Sequence, residues 1–374
     1  MEESPLWKFF NIASNVDDLL SLSVGEPDFE TPWFIRSEAI YAIEKSKTFY
    51  TETRGLKDLR QEICNYYSRK FNIHYQIDNA LVTVGGSEAI DLACRILINP
   101  GDEVIICEPA YIAYRPIIEL AGGVCKVIEL KEENKFKLLN EDLQAAISPK
   151  TKMLLINFPS NPTGGIMTFE DYLPLVDTIY DNELIVVSDE IYAEIIYGQE
   201  FLSLANFDKI KDQIIIISGF SKAFSMTGFR LGYVLADSTI IKMMNNIHQY
   251  TIIAPHTPSQ FAAIKAISKG DYEVNKMRES FERRRNFLVN NLNRIGLNCY
   301  QPDGAFYVFC NIKSTNLSSY DFCLKLVKEA KVVVIPGIAF GEKGEGFIRI
   351  SYAYSIEEIK EALIRIEKFM IQFK

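Results

Sequence analysis

The sequence contains no Cys-x-x-Cys pair, no apolar run long enough to cross a bilayer and no excess of positive charge, and it has only three histidines and two tryptophans. Each shortage removes a class of protein. The seven cysteines (64, 94, 107, 125, 299, 310, 323) are odd in number and fall mostly in apolar segments. They read as reduced core thiols of a cytoplasmic protein, not as a disulfide framework or a zinc site. Apolar strings such as 214–217 and 332–335 are strand-sized, whereas a membrane span needs about 20 residues. Lys and Arg number 40 against 49 Asp and Glu, a net charge of −9, which argues against nucleic acid or anionic membrane as partners. An anionic ligand would therefore need a local cationic pocket. Histidines 74, 248 and 256 do not cluster with other ligand-type residues, so no metal is expected. The glycine-rich stretch 341–346 lacks dinucleotide or Walker spacing and reads as a turn. The opening Met1-Glu2-Glu3-Ser4-Pro5 lacks a basic region followed by an apolar one, and no secretory leader is expected.

The chain has 374 residues, 48% apolar and 24% charged, which is ordinary for a globular protein of two domains. From residue 80 onward strand-like and helix-like patterns alternate. Strands are expected at 80–84, 102–107, 124–130, 152–158, 184–188, 213–218 and 231–236, with helical spacing at 87–98, 115–121 and 169–180. Strands apolar on both faces and separated by helices indicate a mostly parallel sheet covered on both sides, an α/β domain. After residue 236 the pattern changes. Long helices at 239–268 and 272–295 precede a strand at 305–312, a helix at 320–330, strands at 332–335 and 347–351, and a helix from 356. This reads as a smaller α+β domain against which 7–23 packs, while Arg283-Arg284-Arg285 reads as a solvated helix face.

Chemistry concentrates between two of the apolar strands. Lys222 lies in a compact Gly- and Ser-containing loop, with Arg230 eight residues on. An apolar setting lowers a lysine pKa and favours Schiff-base formation, and arginine is a bidentate phosphate ligand. Together they suggest a phosphorylated aldehyde cofactor, for which pyridoxal 5′-phosphate is the candidate. Such a cofactor needs a carboxylate for its ring nitrogen, and Asp189 closes an apolar strand where open α/β sheets bind ligands. Taken alone, Asp189 would sooner cap a helix or turn, and Tyr192 three residues on could be a core tyrosine or a hydrogen-bond donor to the cofactor.

At these residues the sequence resembles the class I/II, fold-type I pyridoxal-phosphate-dependent aminotransferases, in the subgroup of prokaryotic aspartate and aromatic amino-acid aminotransferases. Matching blocks run in family order: Gly25-Glu-Pro-Asp-Phe, Tyr50 before Gly55, Gly85-Gly-Ser-Glu-Ala, Pro109-Ala-Tyr111, Asn161-Pro-Thr-Gly164, Asp189-Glu-Ile-Tyr192, Ser221-Lys-Ala-Phe-Ser-Met-Thr-Gly-Phe-Arg230, Gly304-Ala-Phe-Tyr, Pro336-Gly and Arg349-Ile-Ser-Tyr-Ala. Singly weak, they are specific in this order across nearly the whole chain.

The resemblance implies a large cofactor domain (37–265) with a mostly parallel seven-stranded sheet between helices, and a small α+β domain from 1–36 and 266–374. It implies that Lys222 forms the Schiff base and then moves the proton, that Asp189 pairs with the ring nitrogen, and that Tyr192 and Asn161 hydrogen-bond the ring oxygen. Gly86 and Ser87 open a helix and would form the phosphate cup. Arg230 and Ser221 would join it, and Tyr50 would reach in from the neighbouring subunit of a homodimer. Tyr111 would stack on the ring, while Arg349 and Gly25 would hold the substrate α-carboxylate. Many relatives carry a serine three residues before the lysine; Gly219 stands there. The implied reaction is a ping-pong transfer between an L-amino acid, aromatic or aspartate-like, and a 2-oxo acid such as 2-oxoglutarate. The alternatives are an N-acetyl-diaminopimelate-type aminotransferase or a C–S or β-lyase on the same fold; for a winged-helix regulator, too little chain precedes Gly25. For a side-chain carboxylate Arg95 is a candidate, although a helix-surface ion pair suits it better; for an aromatic side chain Phe29, Trp33 or Tyr250 could contribute.

Overall fold

The computed structural model describes residues 18–373. Twelve strands are labelled here: β1 (Leu20–Ser21), β2 (Ala80–Thr83), β3 (Glu103–Glu108), β4 (Val124–Glu129), β5 (Thr151–Asn157), β6 (Ile185–Asp189), β7 (Ile214–Gly219), β8 (Gly232–Leu235), β9 (Tyr307–Asn311), β10 (Val332–Val333), β11 (Ile335–Pro336) and β12 (Phe347–Ser351). Seven of them form one sheet in the order β2-β8-β7-β6-β5-β3-β4. β8 runs antiparallel to both neighbours and every other pair is parallel.

Alternation along each strand builds a core on both faces. Ile214 and Ile216 of β7 join Leu154, Ile156 and Val186 on one face, with the helices Lys57–Phe71, Phe169–Asp181 and Thr257–Lys269. Ile215 and Ile217 join Met153, Leu155 and Val187 on the other, with the helices Gly85–Leu97 and Ser238–Thr251. A third core lies among the helices Asp271–Ile295, Ser319–Ala330 and Ile356–Met370, the antiparallel sheet β11-β12-β9 and the parallel pair β1–β10. Through that pair Leu20 and Ser21 join the C-terminal part as expected; residues 7–17 lie outside the described residues.

Some expectations are corrected. The stretch 239–268 is two helices, Ser238–Thr251 and Thr257–Lys269, because Pro255 lacks an N–H and biases Ala254 away from helix, and Ile253 sits at φ +70°. The 332–335 strand divides between two partners, β10 pairing with β1 and β11 with β12. The helices Trp33–Glu44, Lys57–Phe71 and Asn140–Ala146 carry no sequence expectation. Of the arginine triplet only Arg283 faces solvent. The Arg285 guanidinium is buried, donating to the Pro302 carbonyl at 2.9 Å and lying 4.4 Å above Tyr197, and Arg284 pairs with Asp28 at 2.7 Å.

Candidate active site

β2, β3, β5, β6 and β7 of the large sheet point their carboxyl ends toward one cavity of about 420 Å³. β5 and β6 run in register so that Asn157 lies beside Asp189, and the Asn157 amide donates to the Asp189 carbonyl at 2.8 Å. Lys222 follows β7, the helix Gly85–Leu97 follows β2, and Arg349 enters from β12 of the smaller sheet. Asn157, Asp189, Lys222 and Arg349 line the cavity, as do Gly86 and Ser87 of that helix.

At one end backbone conformation makes an anion cup. Gly85 takes φ +73° and starts the helix, leaving the N–H groups of Gly86 and Ser87 without partners within that helix. Arg230, itself in the left-handed region at φ +51°, is braced by the Thr227 carbonyl at 3.1 Å. Its guanidinium crosses so closely that a methyl on Gly85 would lie 3.0 Å from Nη2. Gly232 of β8 supports the cup from behind: a methyl there would lie 2.6 Å from the Gly85 carbonyl carbon and 2.8 Å from the Gly86 nitrogen.

The other groups have opposite electrostatic needs. Asp189 is buried and accepts from the Tyr114 hydroxyl at 2.6 Å and from the Ile191 N–H at 3.2 Å. Burial outweighs those donors and pushes its carboxyl up to about 6. A cation against it would hold it ionised. Lys222 Nζ donates to the Gly25 carbonyl at 2.6 Å. Burial brings its pKa down to about 8, Glu26 opposing and Arg349 and Arg230 adding to the fall. The Tyr192 and Tyr307 hydroxyls lie 2.8 Å apart, and burial drives the Tyr192 phenol well above its usual range. Arg349 donates to Asn161 Oδ1 at 2.8 Å and to the Ser23 carbonyl at 2.5 Å, and its guanidinium lies 4.4 Å above the Tyr307 ring. Its Nε is buried with no partner, a donor facing nothing within the chain.

Gly25, Gly86, Ser87, Tyr111, Asn161, Asp189, Tyr192, Ser221, Lys222, Arg230 and Arg349 thus surround one space, and Tyr50 does not, being 82% exposed. Gly219 has a packing reason: it lies opposite Gly232, and a methyl on it would meet Gly232 Cα and the Leu231 carbonyl oxygen at 3.0 Å. Arg95 is a helix-surface pair with Asp91 at 2.7 Å. Phe29, Trp33 and Tyr250 do not line the cavity; Phe29 packs edge-on against Phe281, while Trp33 and Tyr250 are exposed. Sequence reading missed Tyr114, Asn157, Thr227, Tyr307 and Phe340, all in the wall. Tyr307 ends a quoted block and Tyr114 lies one helical turn past Tyr111, but neither spacing states which way a ring points.

These residues suit a phosphorylated pyridine aldehyde. Gly86, Ser87 and Arg230 would hold its phosphate, Asp189 its ring nitrogen and Lys222 its aldehyde carbon; the unpartnered Arg349 Nε remains for a second, carboxylate-bearing molecule. Residues 17–366 match the family model described as aminotransferase class I and II. A putative aminotransferase of Bacillus subtilis, YugH, is 45% identical over 99% of this chain and 96% of its own. An aspartate aminotransferase of Pyrococcus abyssi is 39% identical over 99% and 96%. The crystal structure of an aromatic aminotransferase from Pyrococcus horikoshii superposes with a TM-score of 0.93 at 38% identity, covering 97% of this chain and 99% of that one. With the cavity's cationic cup, buried carboxylate and low-pKa lysine already in place, these matches establish that the chain belongs to the class I and II aminotransferases, fold-type I enzymes that use pyridoxal 5′-phosphate to move amino groups between amino acids and 2-oxo acids.

Proposed function

We propose that this aminotransferase takes its amino group from an aromatic L-amino acid and passes it to 2-oxoglutarate. The wall supports that reading: beyond Lys222, Arg230 and Arg349 no cation lines the cavity among the described residues, and Val24, Ile112, Ile335 and Phe340 give it an apolar side. An aspartate-like donor is the second reading, favoured by the name of the Pyrococcus abyssi relative.

The bound cofactor supplies an electron sink for the charge that develops at the substrate Cα. Arg349, with Asn161 and the Gly25 backbone, grips the substrate carboxylate and turns the Cα–H bond toward Lys222. Lys222 Nζ takes the Cα proton and returns it, a task suited to an amine whose pKa burial brings near neutrality. Asp189 would balance a positive ring nitrogen, Tyr111 would stack on the ring, and Tyr192 and Asn161 would bond its oxygen. Gly86, Ser87, Ser221 and Arg230 would hold the phosphate. Tyr50, on the surface of one chain, would complete that set from a second copy, making a homodimer the working unit. The chain would divide into a large domain, 37–265, and a small one from 1–36 and 266–374, each contributing residues to the cavity wall. Seven unpaired cysteines, six of them buried, accord with a cytoplasmic setting.

A panel of amino donors offered with 2-oxoglutarate, with products identified, tests the donor. Phenylalanine, tyrosine and tryptophan are expected to outpace aspartate in kcat/KM; aspartate ahead of all three would select the second reading. Ammonia and pyruvate without amine transfer would overturn both.

A further inference from the structure

Glu88, the fourth residue of the helix Gly85–Leu97, turns back on the segment that begins it. Its Oε2 accepts the Val84 N–H at 2.5 Å, and its Oε1 lies 2.7 Å from Nδ1 of His248. His248 stands on the helix Ser238–Thr251, with its side chain wholly buried and that of Glu88 only 11% exposed. The other ring nitrogen, Nε2, is buried and has no partner. Only the Nδ1 edge of the ring is engaged.

This chain of bonds ends at the cup. A helix start presents several backbone N–H groups without internal partners. Glu88 takes the one on Val84, just before the helix, and leaves those of Gly86 and Ser87 to face the cavity. Gly85 and Gly86 have no side chains with which to fix their own orientation. Gly232 packs behind them, the Thr83 hydroxyl donates to the Gly85 carbonyl at 3.0 Å, and Glu88 holds Val84 before them. A glutamate engaged at both oxygens is held in one geometry, and His248 is the group at the second oxygen.

We propose that His248 is a positioning residue for the cofactor phosphate: by fixing Glu88 it fixes Val84, and so aims the Gly86 and Ser87 N–H groups at the anion. The proposal rests on the reading of Gly86 and Ser87 as the phosphate cup. It predicts a defect confined to the phosphate.

The test compares pyridoxal 5′-phosphate with pyridoxal, which lacks the phosphate, by titrating each into the full-length chain freed of cofactor. Wild type is expected to prefer the phosphorylated form strongly. His248→Leu should lose at least about tenfold in affinity for pyridoxal 5′-phosphate, with pyridoxal changed by less than about twofold. His248→Asn, whose amide N–H can stand where Nδ1 does, should keep most of the preference. Should the leucine variant not fold, His248→Gln, with its amide displaced by one bond, carries the same expectation of a selective loss. Wild-type affinity in the leucine variant would overturn the proposal, as would equal losses for both ligands or an asparagine variant no better than leucine. If wild type itself fails to distinguish the two ligands, the cup assignment falls and the role of His248 falls with it.

Discussion

Two groups just past the ends of the neighbouring strands β7 and β6 store opposite electrostatic costs. Lys222 pays for its charge, with a pKa brought down to about 8 by burial. Between pH 8 and the ordinary lysine value the unfolded chain binds more protons than the folded one, so the cofactor-free protein gains stability as pH rises through that window. Lys222→Ala should abolish that gain, leave the melting temperature equal or higher near pH 7, and lower turnover at least about a thousandfold. Turnover near wild type would show that another group moves the proton. Glu190 behaves in the reverse sense. Its Oε1 accepts from Ser188 at 3.0 Å and Ser203 at 2.5 Å, its Oε2 has no partner, and burial pushes its carboxyl up to about 8. The folded state binds the extra proton, so stability falls as pH climbs from the ordinary glutamate range to 8. Glu190→Gln, always neutral, should melt with wild type at pH 5 and about 5 °C above it at pH 9. Equal melting temperatures at pH 9 would show the carboxylate is not costly there. The Asp189-Glu-Ile-Tyr192 string declared both carboxyls; only burial tells them apart from surface acids.

At the scale of elements, the cup is a place where three backbones touch. β7 and β8 pair Gly219 with Gly232, and Gly232 in turn underlies Gly85 and Gly86. Gly232→Ala should therefore push the helix start outward, weaken cofactor binding at least about tenfold and cost about 1–3 kcal/mol of stability, read by cofactor titration and by melting. An alanine variant with wild-type cofactor affinity would show that the helix start yields without cost. The strands of the large sheet were legible because residues buried on both faces make unbroken apolar runs. The helices Trp33–Glu44 and Lys57–Phe71 were not, since the first buries only Ile35 and Ala42 and the second buries Arg60 within its apolar face, so neither shows a clean apolar stripe. The break at 252–256 is written in Pro255, although apolar residues continue at helical spacing on both sides of it. Arg285 misled because an arginine triplet reads as solvated; the Pro302 carbonyl and the Tyr197 ring that shelter it lie far along the chain.

The whole molecule sets what a single chain can hold. Tyr50 and Phe49 are 82% and 78% exposed, and Trp33, Ile43 and Tyr250 are exposed apolar residues too. If Tyr50 serves a neighbour's site, Lys222→Ala and Tyr50→Ala chains, each nearly inactive alone, should recover activity when refolded together, because a mixed dimer contains one site with both residues intact. Activity no greater than the sum of the two alone would rule out a shared site. By itself the sequence determined the family, the α/β character, the cofactor chemistry and most of the residues that face the cavity, since those follow from residue type and from the order of short motifs. Tertiary structure alone decided which groups are buried, how Arg349 is braced by Ser23 and Asn161, why Gly219 is not a serine, and that His248 meets Glu88 at the start of the helix Gly85–Leu97. Burial and close approach are made between segments up to hundreds of residues apart, and no local pattern in a chain records its distant neighbours.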